Sequence, residues 1–457
     1  MPPKRTPATP PPAPPCPPYM LIEEIRVQGY KSLVDATLHV RPLTLLAGTN
    51  SSGKSSIMQP LLLIKQTMEA VYQPAGALLL SGSHVQAENA NELVSKIGEK
   101  NTFSVKISGQ DITFKEKDTQ AYNSLELTYE TSGDIINLLT QISDYGTGSK
   151  HILKPVNSLS LEISEPDYGF TRFLPTDTSG GEVFEDGPFL ALKFTGTEGE
   201  WAVTYAPGTP LSPALASLMH IPGLRGAPKR SYSATFFKTA IRGTFDLYAA
   251  GTVSQWQEQN NTEALAQLND SLRRLGLTDT VTAKVKNANE VELSVSRLPA
   301  GTKGKARKAD MVNIADVGIG VSQVLPILVA LIAAQPGQLV YIEQPELHLH
   351  PRAQVVMAEL LAEAANRGVR VVVETHSSLL LLTVQTLIAQ GRIQNTDVAM
   401  HWFSRDARGA TKVDYVQPDE DGACGDWPED FGDVELKAQD AYLTAVGRRH
   451  FGAAPQV

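Results

Sequence analysis

The run Gly48-Thr-Asn-Ser-Ser-Gly-Lys-Ser55 satisfies the spacing G-x-x-x-x-G-K-[ST] in full. Glycines at its two ends let backbone N–H groups curl around phosphate oxygens without a Cβ in the way. A helix starting at its end adds partial positive charge at the same place. Lys54 is then placed for β- and γ-phosphates and Ser55 for a Mg²⁺ ion, with Asn50, Gly53 and Ser56 completing the cradle. The chemistry this permits is binding, and with a suitable acid nearby hydrolysis, of a nucleoside triphosphate such as ATP.

Acidic partners follow far along the chain. Leu339-Val-Tyr-Ile-Glu343-Gln344-Pro345-Glu346 is an apolar strand ending in acid, which puts Glu343 at a sheet edge where ligands gather and makes it the candidate for organising Mg²⁺. A second apolar strand, Val369–Val373, runs into Glu374-Thr375-His376-Ser377, placing His376 for the γ-phosphate or an attacking water. Between these and the phosphate loop lies Asp316-Val-Gly318-Ile-Gly320-Val-Ser322-Gln323, glycines and a serine that open a helix and so make a second anion-ready N-terminus. One chain needs only one phosphate cradle per ATP. A dimer in which each copy lends Gly320 and Ser322 to its neighbour's γ-phosphate uses both.

The elements that position these residues read as α/β. Leu21–Val27 and Ala36–Val40 read as strands around a turn at 29–31, Leu43–Ala47 as a buried strand and Ser56–Glu69 as a helix. Residues 75–210 are rich in Gly, Ser and Thr with short alternating runs, Phe103–Ile107 and Leu159–Ile163 among them, and read as β-rich; Ser179–Pro188, with three glycines, reads as a mobile loop. Thr262–Leu275 is an amphipathic helix, and Val281–Lys286 with Glu290–Val295 a hairpin. Val317–Ala334, Arg352–Arg367 and Ser377–Gln390 read as helices around the two acid-tipped strands. The expected organisation is a Pro-rich tail at 1–19, a head split between 20–75 and 311–400, an insertion at 76–310 that is β-rich then helical, and a small C-terminal domain at 401–457.

Composition bounds the partners. The 457 residues carry a formal net charge of -9, which excludes an all-over basic surface but leaves room for a local patch such as 303–308, with Lys303, Lys305, Arg307 and Lys308. No apolar run reaches the roughly 18 residues of a membrane span, so no membrane partner is expected. Cys16 and Cys424 match no metal spacing or disulfide framework and fit a reducing cytoplasm. No sustained heptad pattern predicts a long coiled coil.

These motifs together resemble the ABC-type ATPase heads of SMC, RecF-like and OLD-like proteins over about 21–70 and 311–385. On that resemblance 48–55 stands for Walker A, Gly318–Gln323 for the signature with Ser322 as the serine given in trans, 339–344 for Walker B, Leu347–Pro351 for the D-loop and His376 for the switch histidine. The implied fold is an ABC-type head (P-loop NTPase) with a long mixed α/β insertion, and the implied assembly is a homodimer sandwiching ATP. The phrases GIGVSQVLPILV, IEQPELHLHP and ETHS, with LRGAPKRSY near 224–232 and Trp427–Phe431, resemble a bacterial subfamily of stand-alone ATPases, Septu- and PARIS-type proteins among its analogues, often encoded beside a nuclease or other effector in anti-phage defence. One departure stands out. Where the family ends Walker B in Asp then catalytic Glu, this chain has Glu343 and Gln344. An amide is no general base. Either hydrolysis is slow and ATP chiefly holds the dimer closed, or Glu346 or His376 supplies the function. The candidate for the family's Q-loop glutamine, a metal-site residue, is Gln86, which reads equally as a solvated loop glutamine. Arg225, Lys229 and Arg230 form a basic cluster that reads equally as a contact for DNA, partner or nucleotide and as a surface loop anchored by Leu224 and Tyr232. No second catalytic cluster suggests a nuclease within the chain. The resemblance thus implies a nucleotide-controlled switch acting on an effector protein such as a nuclease, with a RecF-like DNA-binding ATPase in DNA maintenance as the alternative.

Overall fold

The computed structural model of the chain describes residues 20–70, 77–98, 101–111, 122–144, 150–153, 162–164, 178–186, 189–196, 202–205, 211–235, 241–297, 310–425, 437, 440–446 and 449. The Pro-rich start, the basic loop at 303–308 and Trp427–Phe431 lie outside the described residues.

The chain opens with a hairpin, β1 (Met20–Tyr30) and β2 (Leu33–His39), then runs through β3 (Leu43–Gly48) into α1 (Lys54–Glu69). The next strands are β4 (Thr102–Asp111), β5 (Tyr122–Ser132), β6 (Ile135–Asp144), β7 (Lys150–Leu153) and β8 (Glu162–Ser164). They add to the opening hairpin in one antiparallel sheet ordered β2-β1-β4-β5-β6-β7-β8. The first part of the 76–310 stretch is therefore continuous with the head's own sheet. β9 (Thr178–Asp186), β10 (Phe189–Gly196) and β11 (Ala202–Tyr205) form a separate antiparallel sheet. This corrects the reading of 179–188 as a mobile loop: residues 178–186 pair with β10 through the backbone, which glycines do not prevent.

After α2 (Leu211–Ser217) the chain supplies β12 (Met219–Ile221) and β13 (Tyr232–Ser233), the helices α3 (Ala249–Glu258) and α4 (Thr262–Arg274), and the hairpin β14 (Val281–Asn287) and β15 (Glu290–Ser296). β16 (Met311–Asn313) pairs with β15, and α5 (Ile319–Ala333) leads to β17 (Leu339–Glu343), α6 (Pro351–Asn366), β18 (Arg370–Glu374), α7 (Ser378–Ala389), β19 (Val398–Arg405) and β20 (Thr411–Val416). The central sheet has the order β12-β17-β18-β3-β19-β20, parallel through β19 and closed by antiparallel β20. No described helix exceeds 16 residues, so the described residues hold no long coiled coil, and no helix is long and apolar enough to cross a membrane.

Both faces of the central sheet are covered, which is why its strands read as continuous apolar runs. Leu43, Leu45 and Ala47 of β3 join one core with Val340 and Ile342 of β17 and the helices α5, α6 and α7. Leu46, with Leu339, Tyr341 and Val372, joins the other, under α1 and the antiparallel sheet. Each such buried aliphatic side chain contributes about 1.5–3 kcal/mol relative to exposure. The helices that follow the acid-tipped strands are capped locally: the His350 side chain accepts from the Arg352 N–H ahead of Pro351, and the Ser377 Oγ accepts from the Leu380 N–H at 3.0 Å. Those caps fix where each chain segment turns at the carboxyl edge of the sheet.

Candidate functional site

The phosphate loop is a tight left-handed turn between β3 and α1. Gly48 has φ 143, and a Cβ there would collide with the Phe403 backbone of β19; Gly53 has φ 101, and a Cβ would sit 2.5 Å from the Thr411 Oγ1. Ser51 shares the left-handed region at φ 60. The loop is fastened from the last two strands: Thr411 Oγ1 donates to the Ser52 carbonyl at 2.7 Å, and Arg405 Nε donates to the Ser51 carbonyl at 2.8 Å. Asn50 is exposed at the rim, and the Ser56 N–H donates to the Gly53 carbonyl at 3.1 Å in the first helical turn.

Lys54 is buried, its ammonium donating to the carbonyls of Gly48 at 3.0 Å and Thr49 at 2.8 Å. Burial lowers its pKa, against the raising influence of Glu374 and Glu346. The hydroxyl of Ser55 donates to Glu374 Oε1 at 3.0 Å, and the other oxygen of that carboxyl accepts from the Tyr341 hydroxyl at 3.2 Å. Burial, helped by the charge of Glu343, raises the Glu374 carboxyl above its usual range despite the Ser55 bond.

Glu343 lies opposite Glu374 in the sheet register. Its two oxygens are engaged on the other side, Oε1 with His220 Nε2 at 3.1 Å and Oε2 accepting the Gly223 N–H at 3.0 Å. Burial pushes this carboxyl up, but the bond and charge of His220, the Gly223 N–H and Arg225 together hold it below the usual range. Ser55 and Glu343, paired as metal residues by sequence, are thus not hydrogen-bonded to one another; Glu374 stands next to Ser55. Arg225 is buried and donates to the carbonyls of Pro222, Glu343 and Gln344 at 3.0–3.2 Å, its pKa brought down to about 10 by burial. That corrects its assignment to a solvent-facing basic cluster: the guanidinium braces the turn after β17. Leu224 is no anchor either, being 92% exposed, while Arg230 pairs with Asp316 at 2.7 Å.

Gln344 turns the chain with φ 45, its N–H donating to the Glu374 carbonyl at 2.7 Å. Glu346 Oε1 accepts the His376 N–H at 2.6 Å, while Oε2 is buried without a partner among the described residues. Burial raises the Glu346 carboxyl, with the His376 N–H working the other way. His376 is exposed as a residue, but partial desolvation of its ring among neighbouring groups, together with the charge of Lys54, lowers its pKa and favours the neutral imidazole. Lys54 acts electrostatically with Glu374, Glu346 and His376, which joins the loop to both strand ends.

Gly318 caps α5, and Ser322 in its first turn is at the surface, its hydroxyl donating back to the Ile319 carbonyl at 2.8 Å. Gly320 follows Ile319, which is 42% exposed. Gln323 points inward and donates to the carbonyls of Arg225 and Gly226, linking this helix start to the turn that holds Glu343. Gln86 is exposed and bridges Ser81; the bonds at Ser55 and Glu343 come from other residues. The buried glutamine of this region is Gln66, which donates to the Leu79 carbonyl and accepts the Val85 N–H. Sequence reasoning missed Glu374, Tyr341 and His220 as site residues. The acid at the end of β18 was readable by analogy with β17; the other two reach the site only through folding.

The residues fit a Mg-nucleotide. The loop has room only for glycine at 48 and 53, Lys54 occupies backbone carbonyls that a phosphate can replace as its partner, and an orphaned carboxylate oxygen on Glu346 lies in the same cluster. Two family models match, one described as "AAA ATPase domain" over residues 20–184 and one as "AAA domain, putative AbiEii toxin, Type IV TA system" over 229–382. No curated protein matches the chain. Among solved structures, an SmcHead bound to the C-winged helix domain of ScpA is similar at 12% identity and TM-score 0.49, covering 88% of this chain and 98% of that one. The SMC head domain from Thermotoga maritima is similar at 10% identity and TM-score 0.39, over 87% and 99%. An Smc head domain with an extended coiled coil, bound to the C-terminal domain of ScpA derived from Pyrococcus furiosus, is similar at 11% identity and TM-score 0.43, over 93% and 100%. At such identities neither site nor partner transfers.

Proposed function

We propose that the chain, which matches AAA ATPase domain models over 20–184 and 229–382, is a P-loop ATPase of the SMC and RecF-like head class and a nucleotide-controlled switch working as a two-fold dimer. The observation that carries this reading is the pairing of a complete phosphate loop with a surface-facing helix start, Gly318 to Ser322, whose serine hydroxyl donates, among the described residues, to its own helix. Lys54 would exchange its loop carbonyls for the phosphates, and Ser55 and Glu343, with Glu374 beside Ser55, would hold a magnesium ion. Magnesium there supplies charge neutralisation between the β- and γ-phosphates. Gly320 and Ser322 of a second copy complete the γ-phosphate's surroundings. Because those contacts exist only in the closed form, ATP favours closure by its differential affinity for the two states.

Hydrolysis in this reading is slow. Gln344 holds a water without taking its proton, and Glu346, which has an oxygen without a partner among the described residues, keeps its proton more readily than an ordinary carboxyl. The output is the holding or release of an effector protein such as a nuclease, in anti-phage defence; the match to a family described through toxin–antitoxin systems supports that setting. The burial of Arg225 removes one residue from a DNA-facing cluster, which favours the switch over the DNA-maintenance reading.

Light scattering on the purified full chain tests the central claim. Wild type is expected to go from monomer to dimer on addition of Mg-ATP, and Lys54→Ala and Ser322→Arg to remain monomeric. Wild type that stays monomeric with saturating nucleotide and magnesium ends the proposal.

A further inference from the structure

The carboxylate of Glu343 is the last member of a row of buried and half-buried polar side chains that starts on the far end of α1. Lys65, completely buried, pairs with Glu69 at 2.9 Å and also donates to the carbonyls of Leu215, Ala216 and Ile241. Glu69 accepts the Gly243 N–H at 2.8 Å and lies 3.3 Å from His84 Nε2. His84 Nδ1 meets His220 Nδ1 at 3.0 Å, and His220 Nε2 meets Glu343 at 3.1 Å. Two neutral imidazoles carry two N–H groups, whereas the three contacts from Glu69 to Glu343 require three. The Nδ1-to-Nδ1 contact therefore links the tautomer of one ring to that of the other, and a change at one link alters the others. His84 itself belongs to 77–98, the segment between α1 and β4. Leu78 N–H donates to the Ile136 carbonyl of β6, Ala77 bridges Asn137, and Ser95 N–H donates to the Gly29 carbonyl of β1, so both ends of this segment are bonded to the antiparallel sheet, while Gln66 and Thr67 of α1 hold it at Leu79 and Val85.

We infer that His84 and His220 are positioning residues which couple the antiparallel sheet to the nucleotide site by fixing the orientation of Glu343. The inference deepens the function proposed above and rests on Glu343 acting there. A displacement of the sheet pulls on His84, breaks the ring-to-ring contact and frees Glu343 to turn toward Ser55. The sheet, not only the nucleotide, then sets when the site is competent, which is how an effector bound on it is read.

A double-mutant cycle on the full chain tests this. His84→Gln leaves an amide near Glu69 but out of reach of His220, and His220→Gln keeps an amide near Glu343 but out of reach of His84. Each is expected to change kcat for ATP hydrolysis by about tenfold with KM for ATP within about twofold, and the double variant by no more than either alone. A readout apart from turnover is a downfield N–H proton resonance present in wild type, absent in both single variants, and shifted on addition of Mg-ATP. Additive effects, or an unchanged resonance on Mg-ATP, overturn the inference. Should His84→Gln fail to fold, Glu69→Gln takes its place with the same expectations. Wild-type binding of ATP that is lost in Lys54→Ala, together with unchanged kcat in the histidine variants, discards the relay while leaving the ATPase switch standing; ATP binding that survives Lys54→Ala discards the switch.

Discussion

Two neighbouring strands, β17 and β18, end in the same residue type at the same level of the sheet, and their carboxyls behave in opposite ways. Glu343 is met by an imidazole, a backbone N–H and the charge of an arginine, and is held below the usual carboxylate range against its burial. Glu374 is met by two hydroxyls and by the charge of Glu343 itself, and burial carries it above that range. The pattern apolar strand then Glu places an acid at the mouth of the sheet in both cases. What the acid does there is decided by residues brought from elsewhere, His220 on one side and Ser55 on the other.

The largest effect that tests this contrast lies in magnesium dependence. Glu343→Ala is expected to raise the magnesium concentration for half-maximal ATP hydrolysis by about a hundredfold and Glu374→Gln by about tenfold. A titration of rate against magnesium that gives equal shifts breaks the distinction. The residues just beyond each strand sharpen it next. Gln344→Glu, which restores a carboxylate after β17, is expected to raise turnover by about tenfold, and Glu346→Gln to lower it by a similar factor, both read by steady-state phosphate release. Fast turnover in wild type that Glu346→Gln abolishes and Gln344→Ala leaves intact replaces slow hydrolysis with Glu346 as the base.

Stability gives a smaller effect with opposite signs. The raised folded-state pKa of Glu374 contributes stability that is present below the ordinary carboxylate pKa and is lost as pH rises through the folded value. Glu374→Gln, which resembles the neutral form, is therefore expected to be more stable than wild type by about 1 kcal/mol near pH 8 and equal to it at low pH. The lowered pKa of Glu343 contributes stability present above the ordinary value and lost as pH falls through the folded one. Glu343→Gln is expected to be less stable near pH 8 by about 1 kcal/mol, the deficit closing as pH falls. Urea denaturation across pH reads both, and shifts of the same sign remove the electrostatic account. The smallest effect is Tyr341→Phe, expected to cost about 1 kcal/mol or less through loss of one hydroxyl donor to Glu374. A loss several times larger in the same assay shows the two strand ends to be linked by packing instead.

Much of the scaffold was legible in order of amino acids because it is built from strong local signals. β3, β17 and β18 are built on short, mostly apolar runs, α1 follows a glycine–lysine turn, and α6 and α7 start at His350-Pro351 and Ser377. β9 was not legible, since its two glycines resemble a loop and only pairing with β10 makes it a strand. β19 and β20 were passed over, although Val398–Phe403 is buried throughout and completes the sheet beside β3. The phosphate cradle was readable because all its members are local. The partners of Glu343 were not: His220 lies 123 positions from Glu343, and His84 136 from His220, and nothing in either neighbourhood announces the other.

The fasteners of the phosphate loop have a consequence for biosynthesis. Ser51 and Ser52 leave the ribosome early, but the side chains that pin their carbonyls, Arg405 and Thr411, are 354 and 359 positions downstream. At about 5–20 residues per second, roughly 20 to 70 seconds of translation separate the two. A growing polypeptide thus displays its glycine–lysine turn unpinned until Arg405 and Thr411 have followed, and the loop's grip on a phosphate matures only then.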